Sequence, residues 1–153
     1  MLNNAGVYGD QAGQDFGKIN YDSWTEAFQV NAMAPMKMAE FFYPQVSNRE
    51  KKMMATVTSM MGSIALSLDG LEVIYRSSRS AANMTYKCLA NKLRVEKITV
   101  LMLHPGWVKI DMGGEEAPVL PEESAKGLFK VIVNADINSS GVFFDYTGKI
   151  LPW

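Results

Sequence analysis

Two stretches of the chain are apolar or β-branched at almost every position: Met53-Met-Ala-Thr-Val-Thr-Ser59 and Ile98-Thr-Val-Leu-Met-Leu-His104. Short runs without polar alternation predict strands buried on both faces. Thr56, Val57 and Thr58 add β-branched character to the first, and Pro105-Gly106 stops the second. Met1 to Gly6 reads as the end of another strand with its turn, and Gly141 to Asp145 as a final strand. Between the strands the period becomes helical. Ser23-Trp-Thr-Glu26 spells a capping box and predicts a helix from Ser23 to about Val46, with Trp24, Phe28 and Asn31 on one face. Tyr75, Arg79, Ala82 and Tyr86 on neighbouring turns predict a helix from Tyr75 to about Leu93. Pro121 to Ile132 predicts another, with proline in its first turn and Glu122 and Glu123 favourable to its dipole. Asp10 to Asn20, rich in Gly and Asp, reads as loop. Alternating strands and helices predict an α/β fold, a parallel sheet with helices on both faces, in one domain over residues 1–153.

Composition narrows the function classes. The 153 residues are 48% hydrophobic and 20% charged, with a formal charge of −1. That balance recommends neither nucleic acid nor an anionic membrane as a partner. No apolar run approaches the roughly 20 residues that cross a bilayer, and the first residues lack the pattern of a secretory leader. Cys88 is the single cysteine, so a reducing, cytoplasmic setting is expected, with Cys88 as a small core residue. The 11 methionines follow helix and strand faces and are expected in the core. No cluster has metal-ligand spacing. Glu115 and Glu116 read as a solvated turn, and His104, just before Pro105, as a structural strand end.

One constellation carries chemistry. Ser59 precedes Tyr75 by 16 residues, and Arg79 follows it by four, one helical turn along the same face. A Ser hydroxyl can hold a substrate oxygen, a Tyr phenol can pass a proton to it, and a nearby cation can favour the phenolate. Asn31 is a candidate fourth member: Pro35 lacks the N–H that the Asn31 carbonyl would accept in a helix, leaving that carbonyl able to hold a relay water. By themselves, Tyr75 and Arg79 read first as an ordinary helix-face pair, and the Asn31–Pro35 pair as a simple kink.

These residues, in this order, resemble the short-chain dehydrogenase/reductase family. Asn3-Asn4-Ala5-Gly6 matches its NNAG turn, Val30-Asn31 its helix asparagine, Ser59, Tyr75 and position 79 its Ser, Tyr and Lys, and Pro105-Gly106 its PG turn. His104-Pro-Gly-Trp-Val108, Asp111-Met-Gly-Gly114, Phe143-Phe-Asp-Tyr146 and Leu151-Pro-Trp153 are similar to the C-factor and sniffer-type carbonyl reductase branch. The resemblance implies a Rossmann-like doubly wound sheet and NAD or NADP as cofactor, with NADPH ahead. It implies a small carbonyl or alcohol substrate, with Ser59, Tyr75, Arg79 and Asn31 carrying the reaction. Asn3, Asn4, Ala5, Gly6, Tyr75, Arg79, Pro105, Gly106 and Val108 would then face the cofactor. C-factor is named for cell-to-cell signalling, so a non-catalytic signalling or interaction protein is the alternative.

Three departures follow from the same comparison. No Gly-rich pyrophosphate turn is present, so the chain opens inside the family's fourth strand and reads as an N-terminally truncated member, with cofactor binding weakened or lost and an inactive gene product as a further alternative. Arg79 stands where the family has lysine, and its planar fork is not equivalent to an ammonium. Ile110 replaces a threonine and offers no hydrogen bond. A sheet missing neighbours near Met53 to Ser59 predicts homo-oligomerisation or self-association.

Overall fold

The computed structural model describes all 153 residues. Its centre is a four-stranded, all-parallel sheet of β1 (Leu2–Asn3), β2 (Met53–Val57), β3 (Thr99–His104) and β4 (Phe143–Asp145), paired in that order. The register sets Ala55 beside Leu2 and Leu101, and Met102 beside Phe143. Alternation along the strands sends Met54, Val100 and Met102 to one face and Met53, Ala55, Leu101 and Leu103 to the other. On the first face lie α2 (Ala34–Ser47) and α3 (Val73–Leu93); α4 (Pro121–Asn134) covers the second. Val100, Leu101, Met102 and Leu103 are wholly buried, each such side chain stabilising the fold by roughly 1.5–3 kcal/mol relative to exposure. The predicted parallel sheet, with helices on both faces, is present.

The first helix differs from expectation. It begins at Tyr21, and Asn20 caps it by accepting the Ser23 N–H at 3.1 Å. Ser23 instead accepts the Asp10 N–H at 2.7 Å, tying the loop to the helix. Nor is it one helix. α1 (Tyr21–Phe28) passes into a π turn at Gln29–Met33 before α2. In that turn the Ala34 N–H reaches back to the Gln29 carbonyl. The wider turn buries both Asn31 and Ala32, and Pro35 then opens α2 where its missing N–H is tolerated.

α3 carries two adjacent buried rows, Ile74-Ser78-Ala82 and Tyr75-Arg79-Asn83, which continue into Tyr86, Leu89, Ala90 and Leu93. Its N-cap, Glu72, sits in the left-handed region at φ 52° and provides no side-chain cap. The cap comes from a distant loop: the buried Gln14 accepts the Tyr75 N–H at its Oε1 (3.0 Å).

Two burial expectations are corrected. Cys88 is exposed, on the solvent side of α3, because Leu89 and Ala90 take the core-facing positions next to it. The methionines divide: Met53, Met54 and Met102 are core, whereas Met33, Met38, Met60, Met84 and Met112 are exposed. Glu115 and Glu116 are exposed as expected, Glu115 pairing with Lys109 at 2.9 Å.

Candidate active site

The carboxyl ends of β2 and β3 open into a cleft of about 710 Å³. Ser59 lies just past β2 and caps the short turn Met60–Gly62, its Oγ accepting the Met61 N–H at 3.2 Å. That turn is fastened to α3: the Gly62 carbonyl accepts from Ser80 Oγ (2.9 Å) and Asn83 Nδ2 (3.3 Å). A Cβ on Gly62 would stand 2.7 Å from the Arg79 main-chain carbon, so glycine permits the approach that sets Ser59 beside Tyr75's helix. Ser59, Tyr75, Pro105, Gly106 and Val108 all line the cleft. The Ser59 and Tyr75 hydroxyls donate to no other group of the chain, and both are free for a ligand.

Arg79 lies behind this surface. It is 5% exposed, and its guanidinium carbon sits over the face of the Tyr75 ring, 5.0 Å from the centroid. Nη1 donates to the Val57 carbonyl at 3.4 Å, and Nε has no partner. The fork fits because Gly6 has no side chain: a Cβ there would be 2.1 Å from Nη2. Arginine therefore meets the tyrosine through the ring face.

Asn31 is wholly enclosed, and its amide works as a clamp. Oδ1 accepts the Val7 N–H and Nδ2 donates to the Val7 carbonyl, each at 2.8 Å, while Nδ2 also donates to Ser78 Oγ at 2.9 Å. Ser78 in turn donates to the Tyr75 carbonyl at 2.8 Å. The side chain thus ties the turn after β1 to α3. Asn3 points into the core, donating to the Tyr86 hydroxyl and the Pro35 carbonyl. Burial pushes the Tyr86 phenol up to about 12, against the hydrogen bonds from Asn3 and Thr56. Asn4 and Ala5 are exposed. Asn3 to Gly6 and Arg79 are therefore not part of the cleft wall that Ser59 and Tyr75 share.

Tyr8, Gln14 and Thr58 escaped the sequence reading. Tyr8 stacks on Tyr75, with ring centroids 4.7 Å apart. Gln14 holds the Tyr8 carbonyl through Nε2 at 3.1 Å while capping α3. Trp107 donates to the Gly113 carbonyl at 2.7 Å and shapes the loop after β3. Thr58 and His104 line the cleft with Thr58 Oγ1 and His104 Nδ1 buried and unpartnered. Burial pulls His104 down to about 4, partly opposed by Asp145 beside it in the sheet, so its imidazole is neutral at pH 7. Only the β-branched run hinted at Thr58; nothing periodic marks Tyr8 or Gln14.

The sequence profile described as short chain dehydrogenase matches residues 1–119. The chain belongs to this family. C-signal of Myxococcus xanthus is 37% identical over 153 residues, spanning 100% of this chain and 91% of that protein. The carbonyl reductase Sniffer of D. melanogaster superposes with a TM-score of 0.93 at 29% identity, over 99% of this chain and 65% of its own. An NADPH-bound carbonyl reductase from chicken fatty liver gives 0.90 at 30% identity, over 99% and 64%. The chain thus spans less than two thirds of the carbonyl reductase structures it matches, and nearly all of the C-signal. The four-stranded sheet is the corresponding part of their Rossmann-like fold.

The cleft combines an apolar wall with polar atoms that the chain itself leaves unsatisfied. Unpartnered Thr58 Oγ1 and His104 Nδ1 offer polar contacts beside the Pro105–Val108 wall. No lysine or arginine lines the cleft, so nothing there neutralises a pyrophosphate.

Proposed function

We propose that the chain is an oxidoreductase that interconverts carbonyl and secondary alcohol groups with NADPH, or NADH, as cofactor. The observation that carries this reading is the convergence of Ser59 and Tyr75, both with uncommitted hydroxyls, on one cleft walled by Pro105, Gly106 and Val108. The bound cofactor supplies the hydride. Ser59 donates a hydrogen bond to the substrate oxygen, and Tyr75 delivers the proton to it. Arg79 keeps a positive charge against the ring that becomes negative when that proton leaves. Asn31 holds Val7 and Ser78 in place; its carbonyl, to which Pro35 offers no N–H, is the acceptor for a relay water. Thr58, His104, Pro105, Gly106 and Val108 would receive the nicotinamide end.

Titration of the folded protein with NADPH and NADH, followed by nucleotide fluorescence, tests the reading. Binding is expected, together with ketone-dependent oxidation that Tyr75→Phe and Ser59→Ala each reduce by about 10²–10⁴. Failure of folded protein to bind either nucleotide would sink it. That outcome would favour the second reading, a signalling or interaction protein without turnover, which the match to C-signal along nearly its whole length supports.

A further inference from the structure

Resting on the oxidoreductase reading, the geometry points to the kind of substrate: we infer that the cleft selects a flat, uncharged, apolar carbonyl compound, and that Tyr8 makes the choice. The Tyr8 ring stacks on that of Tyr75 at 28° and lines the same cleft, so a carbonyl at the Tyr75 hydroxyl has the Tyr8 ring as a neighbour. Gln14 holds the Tyr8 main chain and Tyr75 backs its ring, so Tyr8 is a supported wall of the cleft. Met60, Met61, Leu71, Trp107, Ile110 and Met112 line the same cleft. Rings and thioethers of this kind reward aromatic surface.

The charges give the second half of the argument. The cleft wall holds the carboxylates of Asp15 and Glu72 and no cation. Each nearby cation is already engaged. Arg76 pairs with Asp69 at 3.0 Å and Glu72 at 3.1 Å, Lys109 pairs with Glu115, and Arg79 is buried beneath Tyr75. An anionic substrate would lose hydration against methionine and leucine and gain no counter-charge. Oxo acids and phosphorylated carbonyls are therefore excluded.

The test is ligand-observed NMR on the full chain without cofactor, using acetophenone, cyclohexyl methyl ketone and 4-acetylbenzoate. Acetophenone is expected to bind about tenfold tighter than 4-acetylbenzoate and about threefold tighter than the non-planar ketone. Tyr8→Leu should erase the second ratio, and Tyr8→Phe should keep it. Ile110→Lys, at a half-exposed position on the rim, should bring 4-acetylbenzoate to within about threefold of acetophenone by supplying the missing cation. Equal binding of the carboxylate by the unaltered chain, a planar preference that survives Tyr8→Leu, or no binding of any probe would overturn the inference. These ratios need no turnover. Selective binding without reduction by NADPH would therefore defeat the oxidoreductase reading alone.

Discussion

Gly6→Ala is expected to destabilise the protein only while Arg79 is present. Gly6 is not among the residues with positive φ, so alanine fits the backbone there. Replacing glycine at such a position would by itself stabilise by about 0.4–1 kcal/mol through the unfolded chain. Against this stands a new Cβ 2.1 Å from Arg79 Nη2, with Cζ at 2.9 Å and Nη1 at 3.0 Å. The guanidinium has little room to withdraw, since the Tyr75 ring lies over it and the Arg79 main chain is pressed against Gly62. Overpacking of this kind costs about 1–3 kcal/mol, leaving a net loss of up to about 2.6 kcal/mol, centred at about 1.3 kcal/mol, and a fall in Tm of roughly 3–5 °C at that centre. Urea and thermal unfolding of the wild type, Gly6→Ala, Arg79→Ala and the double variant close a thermodynamic cycle. In the Arg79→Ala background the glycine replacement should be neutral or mildly stabilising, a coupling of about 1–3 kcal/mol. An equal cost in both backgrounds would refute the placement of the guanidinium, and with it the ring-face contact to Tyr75.

Three further outcomes are expected. His104 is held neutral by burial at about 4 against its ordinary 6.5, so the unfolded chain takes up the proton first. Stability should therefore fall as pH drops from about 6.5 to about 4, by up to about 3 kcal/mol, and level off below; His104→Asn should remove that part of the slope, and matching urea midpoints for both proteins across this range would contradict the assignment. Thr58→Val removes an unpartnered buried hydroxyl at constant shape and should leave stability unchanged or raise it by about 1 kcal/mol; a loss of that size in calorimetry would show that the hydroxyl has a partner. The outer edge of β1 is unpaired, with Leu2, Met33, Met38 and Phe41 exposed, so the chain should self-associate; a concentration-independent monomer in sedimentation experiments would count against it.

The sheet was legible because strands buried on both faces leave a plain signature, and because Pro105-Gly106 ends one of them. The break between α1 and α2 was not. Ser23 to Glu26 satisfies a local capping rule, yet the hydroxyl is taken by Asp10 across the loop, and the π turn serves the burial of Asn31. Ser59 and Tyr75 could be found from type and order, since both stand at ends of regular elements. The direction of Arg79 could not: it is settled by the absence of side chains at Gly6 and Gly62, far away in sequence. Tyr8 and Gln14 come from a segment without periodicity, where only the folded chain reveals a neighbour.

The Gln14 cap makes the start of α3 a non-local event. Its hydrogen bond to the Tyr75 N–H spans 61 positions, and its main-chain carbonyl accepts the Val73 N–H as well. A helix normally nucleates from its own flanking residues; this mid-chain helix borrows its first donors' partners from a loop near the start of the chain. The amides of Val73 and Tyr75 should therefore exchange with deuterium at the rate at which residues 10–20 open, and faster than the middle of α3. Whatever loosens that loop also unwinds the turn that aims the phenol.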